Sequence, residues 1–169
     1  MIEALKKIRV VAMDVDGVLT DGRIIIDGNG LESKNFDVQD GFGIVFLKKC
    51  GIKTAIISAR DSAVVAHRAR DLKIDKSWVG VYPKISAYES LLKEFEVSDQ
   101  EVCFIGDDLA DLCIMKRCGV SIAVANAVFE VKQIADYVTT HRGGAGGVRE
   151  AVELILKTQG HWSPLLYEH

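Results

Sequence analysis

The sequence has no C-x-x-C pair, no apolar run long enough to span a bilayer and no marked excess of either charge. Four cysteines without paired spacing favour a reduced, cytoplasmic compartment. A net charge of -3 gives no electrostatic footprint for nucleic acid or for an anionic membrane. Residues 1–7 lack the apolar segment of a secretory signal. We therefore expect a cytoplasmic protein with neither a nucleic-acid partner nor a membrane partner.

The apolar content, in contrast, is ample for a full core. The 169 residues are 49% hydrophobic and match the length of one domain, predicted to span 1–169. Short, almost continuously apolar strands alternate with helical patterns, which predicts an α/β fold: a doubly wound (Rossmann-like) parallel sheet with helices on both faces. The predicted strands are 8–13, 53–57, 78–81, 102–105, 121–124 and 137–139, and the predicted helices are 43–49, 62–72, 85–95, 109–117, 128–134 and 148–157.

One segment directly after the first strand breaks this alternation. Residues 23–36 carry Asp27-Gly28 and Asn29-Gly30 between two extended runs, which predicts an inserted β-hairpin. The chain has no room for a cap domain, so the hairpin is the expected local cover of a site beside it. Its Ile24-Ile25-Ile26 run favours pairing with hairpins of other subunits, because a lone hairpin is marginal in water. Folding back on its own domain is the alternative.

The C-terminal part adds two expectations. Residues 142–147 are glycine-rich and predict a flexible turn before the last helix. The tail 159–169 shows no periodicity, yet it contains Trp162, Leu165 and Leu166. Exposure of these side chains would be unusual on a monomer, which again favours assembly.

Acidic residues cluster at the ends of two predicted strands. Asp14 and Asp16 follow the first strand, and Asp107, Asp108 and Asp111 follow a later one. Acids are rarely buried without partners, and neighbouring carboxylates repel each other unless a cation holds them ionised. Because strand ends converge at the switch point of a doubly wound sheet, the two clusters predict one metal site built from distant segments.

Four motifs, in order, resemble those of the haloacid dehalogenase-like phosphohydrolases over nearly the whole chain. They are residues 14–18 (DVDGV), Ser58 at a strand end, Lys84 before a helix, and residues 106–111 (GDDLAD). A lone Asp-x-Asp is usually a turn or a helix cap, and a lone Ser58 is more often a cap than a ligand. The four together, each at its expected structural position, are specific.

The resemblance implies a phosphomonoester hydrolase that works through an aspartyl-phosphate intermediate. Asp14 would be the nucleophile, and Asp16 would protonate the leaving alkoxide and later deprotonate water. Ser58 and Lys84 would contact the phosphoryl oxygens, where Lys84 would supply part of the electrostatic stabilisation.

The resemblance also implies Mg²⁺ as the cofactor, because Mg²⁺ takes hard oxygen ligands. Its ligands would be the Asp14 carboxylate, the Asp16 backbone carbonyl and the Asp107 carboxylate. Asp108 and Asp111 would anchor metal-bound waters or the lysine.

A narrower resemblance is to the capless members that hydrolyse 3-deoxy-D-manno-octulosonate 8-phosphate in lipopolysaccharide biosynthesis. It rests on the hairpin and on residues 37–43, 68–72 and 143–150. It implies a homotetramer in which hairpins meet at the centre and a C-terminal segment reaches a neighbouring site. Gln39, Ser58-Ala59 and Gly147 depart from the usual pattern, so a nine-carbon sugar-acid phosphate stays open as the substrate.

A sugar-acid substrate carries a carboxylate, for which arginine is a natural partner. The candidates are Arg60, Arg68, Arg142 and Arg149, although each alone is as readily a solvated surface residue. Two other classes remain alternatives: a phosphoaspartate receiver domain and a non-catalytic, phosphatase-like oligomerisation domain. The complete motif set argues against the second, and the position of Asp14 on the first strand argues against the first.

Overall fold

The structure, a computed structural model, describes residues 1–167. Its strands are β1 (Val10–Met13), β2 (Ile25–Ile26), β3 (Glu32–Ser33), β4 (Lys53–Ile57), β5 (Lys76–Trp78), β6 (Val102–Gly106), β7 (Val120–Ala123) and β8 (Tyr137–Val138). Its α-helices are α1 (Ile2–Leu5), α2 (Val38–Lys49), α3 (Ala63–Asp71), α4 (Ile85–Phe95), α5 (Leu112–Met115), α6 (Phe129–Ile134), α7 (Gly147–Thr158) and α8 (Trp162–Leu166).

The six strands other than β2 and β3 form one parallel sheet in the order β5-β4-β1-β6-β7-β8. The chain moves outward from β1 to one edge and then crosses to β6 on the other side of β1. The strand order therefore reverses beside β1, and ligands of such sheets bind beyond the carboxyl ends at that point. This arrangement confirms the predicted doubly wound α/β fold.

Helices cover both faces of this sheet. All four residues of β1 are buried although successive side chains point to opposite faces. Helices α1 and α2 both contact α7 and form one group with it, and α4 contacts α5 as another. Helix α4 illustrates the pattern, because its buried residues Ala87, Tyr88 and Leu91 recur at helical spacing.

Three predicted element boundaries are wrong. Helix α2 begins at Val38 rather than at residue 43, because the Asp37 side chain caps it by accepting from the amides of Gln39 and Asp40. Strand β5 spans Lys76–Trp78 rather than 78–81, since Gly80 turns the chain at φ +69°. The predicted helix 109–117 starts as a 3₁₀ turn and is α-helical only over Leu112–Met115.

The structure forms the expected hairpin, in which β2 pairs antiparallel with β3 as a separate two-stranded sheet. Its apolar side chains Ile24, Ile25, Ile26 and Leu31 are all exposed on the single chain. The second strand continues toward the domain, where Thr20 and Phe36 form an isolated antiparallel bridge. The hairpin therefore contacts its own domain at its base and leaves its apolar tip uncovered.

The tail differs from the expectation of exposed apolar residues. Helix α8 packs against α7, Leu165 is buried, and the Trp162 ring makes an edge contact with Phe46 at 5.9 Å. The side chain of Leu166 and all of residues 168–169 lie outside the described part. Among residues 1–167, no helix combines the length and the apolar character needed to cross a bilayer.

The predicted glycine-rich turn at 142–147 is present, and its glycines pack closely against the loop after β1. A Cβ added at Gly143 would lie 1.8 Å from the Gly17 carbonyl oxygen, and one added at Gly144 would lie 2.4 Å from the Thr20 backbone carbon. The Gly144 amide donates to the Val18 carbonyl at 2.9 Å. The glycines here permit close backbone packing.

Candidate active site

Three parallel strand ends bring the predicted motifs together. Asp14 follows β1, Ser58 follows β4 and Asp107 follows β6, and β1 lies between the other two strands. In register, Met13 pairs with Ile56 and with Ile105. The three polar side chains therefore leave the same edge of the sheet within one or two residues of each other.

Lys84 lies at the N-terminal end of α4 and is buried among these strand ends, with only 2% of the residue exposed. Its Nζ contacts Asp14 Oδ1 at 2.8 Å and Asp111 Oδ1 at 2.7 Å. Burial disfavours the ammonium form, but Asp14 and Asp111 outweigh that cost and raise the pKa of Lys84. Lys84 is therefore a fixed cation directly beside Asp14.

Asp111 is fully buried and uses both carboxylate oxygens inside the protein. Oδ1 accepts from Lys84, and Oδ2 accepts from the backbone amides of Asp107 (2.9 Å) and Asp108 (3.2 Å). Its oxygens lie within 4.8 Å of those of Asp14 and Asp107. Because those oxygens already have donors, Asp111 is better suited to orient the β6 loop and Lys84 than to bind a metal directly.

Asp107 is the acid with an unsatisfied oxygen. Its Oδ1 is buried and has no hydrogen-bond partner among residues 1–167. Burial, followed by repulsion from Asp14 and Asp111, raises the pKa of Asp107 to about 8. Burial and the Asp111 charge likewise raise the pKa of Asp14 to about 6. An orphaned carboxylate oxygen beside two further acids fits a divalent cation with oxygen ligands.

Asp16 lies at the mouth of this centre and contacts the hairpin side. The Lys34 ammonium donates to Asp16 Oδ1, and Arg60 Nε lies 3.7 Å from Oδ2. Glu32 binds both cations, with Lys34 Nζ at 3.2 Å and Arg60 at 2.9 Å, and also accepts from the Ser62 hydroxyl. Sequence reasoning missed Lys34 and Glu32. Their spacing of two residues on a predicted strand, which puts both side chains on one face, was the available signal.

A cleft of about 150 Å³ opens between these groups. Its walls include six of the residues discussed here: Asp14, Asp16, Ser58, Arg60, Lys84 and Asp108. Ser58 is buried, and its Oγ accepts from the Arg60 amide at 3.3 Å. Asp108 is exposed and caps the following turn through the Leu109 amide at 2.7 Å.

Two predicted arginines lie elsewhere in the single chain. Arg68 stacks over Phe36 at 5.5 Å and pairs with Asp71 at 2.6 Å. Arg149 pairs with Glu153 at 2.8 Å and covers the Trp162 ring at 5.0 Å. Neither lines the cleft. A contribution of either to a site would therefore need a neighbouring subunit.

A larger cavity, of about 380 Å³, lies at the opposite end of the sheet. Its lysines are already paired, Lys53 with Asp75 at 3.3 Å and Lys76 with Glu94 at 2.5 Å. Ligands of doubly wound sheets bind at the carboxyl ends, so the smaller, acidic cleft is the candidate site.

Comparison with known proteins agrees with this geometry. A family model described as haloacid dehalogenase-like hydrolase matches residues 80–152. The 3-deoxy-D-manno-octulosonate 8-phosphate phosphatase KdsC of Haemophilus influenzae is 41% identical over 160 residues, which cover 95% of this chain and 89% of the relative. The chain belongs to the haloacid dehalogenase-like hydrolases. The KdsC of Escherichia coli K12 is 40% identical to it, over 95% of this chain and 85% of the relative.

Solved structures of haloacid dehalogenase-like hydrolases superimpose closely. The 3-deoxy-D-manno-octulosonate 8-phosphate phosphatase from Moraxella catarrhalis was crystallised in complex with magnesium ion, phosphate ion and KDO. It matches with a TM-score of 0.95 and 42% identity, over 98% of this chain and 95% of that one. A cobalt-bound form of the Haemophilus influenzae enzyme matches with a TM-score of 0.93 and 40% identity, over 98% and 96% of the two chains.

Proposed function

We propose that this protein is a Mg²⁺-dependent phosphatase that hydrolyses 3-deoxy-D-manno-octulosonate 8-phosphate to the free sugar acid and phosphate in lipopolysaccharide biosynthesis. The observation that carries the proposal is the buried Lys84 between Asp14 and Asp111, beside the orphaned oxygen of Asp107. The identity of about 40% to phosphatases named for this substrate supports the choice of substrate.

In this proposal Asp14 is the nucleophile. One of its carboxylate oxygens attacks phosphorus while the bond from phosphorus to the sugar oxygen breaks, which leaves an aspartyl phosphate and an alkoxide. Asp16, at the mouth of the cleft, gives its proton to that alkoxide. Asp16 then takes a proton from the water that attacks the aspartyl phosphate and releases inorganic phosphate. Two moderate barriers thus replace one large barrier.

Mg²⁺ would be held by the carboxylates of Asp14 and Asp107 and by the backbone carbonyl of Asp16. When bound, it supplies positive charge that offsets the repulsion between an anionic nucleophile and a phosphate dianion. The buried Asp111 would orient the loop that carries Asp107, and Asp108, which lies in the cleft wall, would hold metal-bound water. Ser58 and Lys84 would donate to phosphoryl oxygens, a role supported by their positions in the cleft wall.

The sugar acid would lie on the hairpin side of the cleft. Arg60 lines the cleft and is the first candidate partner for the substrate carboxylate. Arg68 and Arg149 belong to this proposal only as groups that one subunit supplies to another.

In this proposal the protein is a single domain over 1–169 that assembles as a homotetramer. Four exposed apolar side chains on the hairpin support assembly, because patches of this kind mark contact surfaces. A cytoplasmic location is part of the proposal and is supported by the four cysteines, whose positions show no C-x-x-C pair.

The test is phosphate release from 3-deoxy-D-manno-octulosonate 8-phosphate beside a panel of other phosphorylated sugars, including a nine-carbon sugar acid. A strong preference for the eight-carbon substrate, lost on chelation and restored by Mg²⁺, is the expected result. A preference for the nine-carbon substrate would contradict the proposed substrate but agree with the proposed phosphatase mechanism. Absence of release from every substrate would favour a non-catalytic oligomerisation domain.

A further inference from the structure

The turn after β7 makes contacts that none of the roles above uses. The Asn126 side-chain amide donates to the Gly17 carbonyl at 2.8 Å, and its Oδ1 accepts from the Gly143 amide at 2.6 Å. Gly17 directly follows Asp16, and Gly143 belongs to the tightly packed turn before α7. One side chain therefore joins the loop after β1 to the turn that precedes the last long helix.

The same turn also holds the loop after β6. The Val128 amide donates to the Asp107 backbone carbonyl at 2.9 Å. The turn is itself anchored, because the Ala125 amide donates to Thr139 Oγ1 at 3.1 Å. Residues 125–128 thus contact both segments that carry the proposed metal ligands, one through a side chain and one through the backbone.

Gly17 lies directly against the Asp107 carboxylate. A Cβ added to Gly17 would lie 2.0 Å from Asp107 Oδ2, and Gly17 adopts φ +94°. Gly143 packs against the Gly17 carbonyl. Gly17 therefore contacts both Asp107 and Gly143, and the Asn126 amide donates to its carbonyl.

We propose that Asn126 is a positioning residue for the metal site. It holds the Gly17 peptide against Asp107 and thereby sets the separation of the two segments that bind the cation. The inference rests on the metal chemistry of the proposed function, but not on its substrate. Groups behind metal ligands commonly influence metal affinity although they do not touch the ion.

The sharpest variant is Asn126→Asp, which has nearly the same shape. Aspartate can still accept from the Gly143 amide, but it has no donor for the Gly17 carbonyl and faces it with a second acceptor. We expect the dissociation constant of Mn²⁺, measured by calorimetry without substrate, to rise about tenfold. The Mg²⁺ concentration for half-maximal activity should rise in parallel, while kcat at saturating Mg²⁺ stays within about threefold of wild type.

A matched control separates positioning from general stability. Ser121 is buried on β7, the strand that precedes this turn, and its hydroxyl donates to Asp136 Oδ2 at 2.9 Å, away from the metal segments. Ser121→Ala should lower the melting temperature and leave Mn²⁺ affinity unchanged. Asn126→Ala serves as the second variant if Asn126→Asp does not fold.

Two outcomes would overturn the inference. Wild-type Mn²⁺ affinity in the folded Asn126 variants, with only a lowered melting temperature, would make Asn126 a purely structural residue. No Mn²⁺ binding to the wild-type protein would overturn the metal site and this inference together. Weakened Mn²⁺ binding in the variants, without hydrolysis of any sugar-acid phosphate, would support the inference while the proposed substrate fails.

Discussion

The acidic centre, formed by Asp14, Asp107 and Asp111, and the hairpin come together at Asp16. They differ in how many of their contacts are satisfied within one chain. The acidic centre is buried, and Lys84 already bridges Asp14 and Asp111 at 2.8 Å and 2.7 Å. The hairpin leaves its apolar tip exposed and contributes only a charged base through Lys34 and Glu32. The sheet therefore positions the reacting groups, whereas we propose that other subunits complete the walls around the leaving group.

Asp14→Asn tests the acidic centre most severely. The amide oxygen is a much weaker nucleophile than a carboxylate, so we expect kcat to fall by at least about 10³-fold. The fold should remain intact, since asparagine has nearly the same volume. Phosphate release measures kcat, and far-ultraviolet circular dichroism checks the fold. Asp61→Asn, which alters an exposed acid at the same end of the sheet, is the control and should keep full activity. Residual turnover near the wild-type rate in a clean preparation would refute Asp14 as the nucleophile.

Lys84→Met tests whether the cation holds this centre together. The change leaves two buried carboxylates facing each other, so we expect a loss of about 3–5 kcal/mol in the free energy of unfolding of the metal-free protein. It should also lower kcat by about 10²–10³-fold, because a donor to the transferring phosphoryl group is lost. Urea denaturation and steady-state kinetics measure the two effects.

Lys76→Met provides the matched comparison for Lys84→Met. Lys76 pairs with Glu94 at 2.5 Å on the surface, where both side chains are nearly half exposed. Surface pairs contribute about 0–1 kcal/mol, so this variant should be nearly neutral. Equal destabilisation by the two substitutions would remove the distinction between a buried bridge and an ordinary ion pair.

The pH dependence of stability separates the acidic centre from other buried acids. Burial and like charges raise the pKa of Asp14 to about 6 and that of Asp107 to about 8. Between about pH 4 and pH 8 the native, metal-free protein therefore binds more protons than the unfolded chain. Its free energy of unfolding should fall across this window as pH rises, by an amount on the order of a few kcal/mol.

Denaturation curves at pH 5 and pH 8.5, in chelator and in Mg²⁺, measure this effect. Mg²⁺ should stabilise the protein more at pH 8.5, because the carboxylates are ionised there. Asp107→Asn should remove most of the pH dependence of the free energy of unfolding above pH 6. Burial also raises the pKa of Asp40, to about 6, so Asp40→Asn should flatten only the lower part of the curve, with or without Mg²⁺. A free energy of unfolding that does not change with pH in chelator would contradict the burial and repulsion assigned to Asp14 and Asp107.

The acidic centre was predictable from sequence because its signals are local. Asp14 and Asp107 each follow an apolar strand directly, and parallel strand ends converge by topology. Lys84 was predicted as a phosphate ligand, and Asp108 or Asp111 was expected to anchor metal-bound waters or the lysine. The structure shows that Asp111, 27 positions from Lys84, makes the contact, and that choice depends on how α4 packs. The cap at Asp37 was a readable signal for the start of α2 that the prediction did not use.

The hairpin side and the glycine-rich turn were harder to predict, since both depend on contacts distant in sequence. The contact between Lys34 and Asp16 forms only when the second hairpin strand folds back over the strand end. Glycines at 142–147 predict flexibility from composition alone, although glycine equally permits close approach, as Gly143 does against Gly17. Composition cannot distinguish these two uses.

Ile25→Lys tests the incomplete side of the comparison and should have the smallest effect on the chemistry. Ile25 is 41% exposed in the single chain, so a lysine there leaves the subunit fold intact. In a tetramer whose hairpins meet, four new charges would repel one another, and sedimentation velocity should show dissociation. We expect kcat/KM for the sugar-acid phosphate to fall by about tenfold, since neighbouring groups no longer close the cleft. Hydrolysis of a small aryl phosphate should change little, because the acidic centre lies within one chain.

The control for Ile25→Lys is Ile2→Lys on α1, an isoleucine that is 62% exposed and distant in sequence from the hairpin. It adds the same charge and should leave both sedimentation and kinetics unchanged. If Ile25→Lys sedimented like the wild type with unaltered kinetics, the hairpin would have no part in assembly, and Arg60 and Lys34 would have to close the cleft alone. If both Ile25→Lys and Ile2→Lys dissociated the protein, the interface would extend to α1, and assembly could not be assigned to the hairpin alone. Dissociation by Ile25→Lys alone, with loss confined to the sugar acid, is the result that separates chemistry within the chain from specificity between chains.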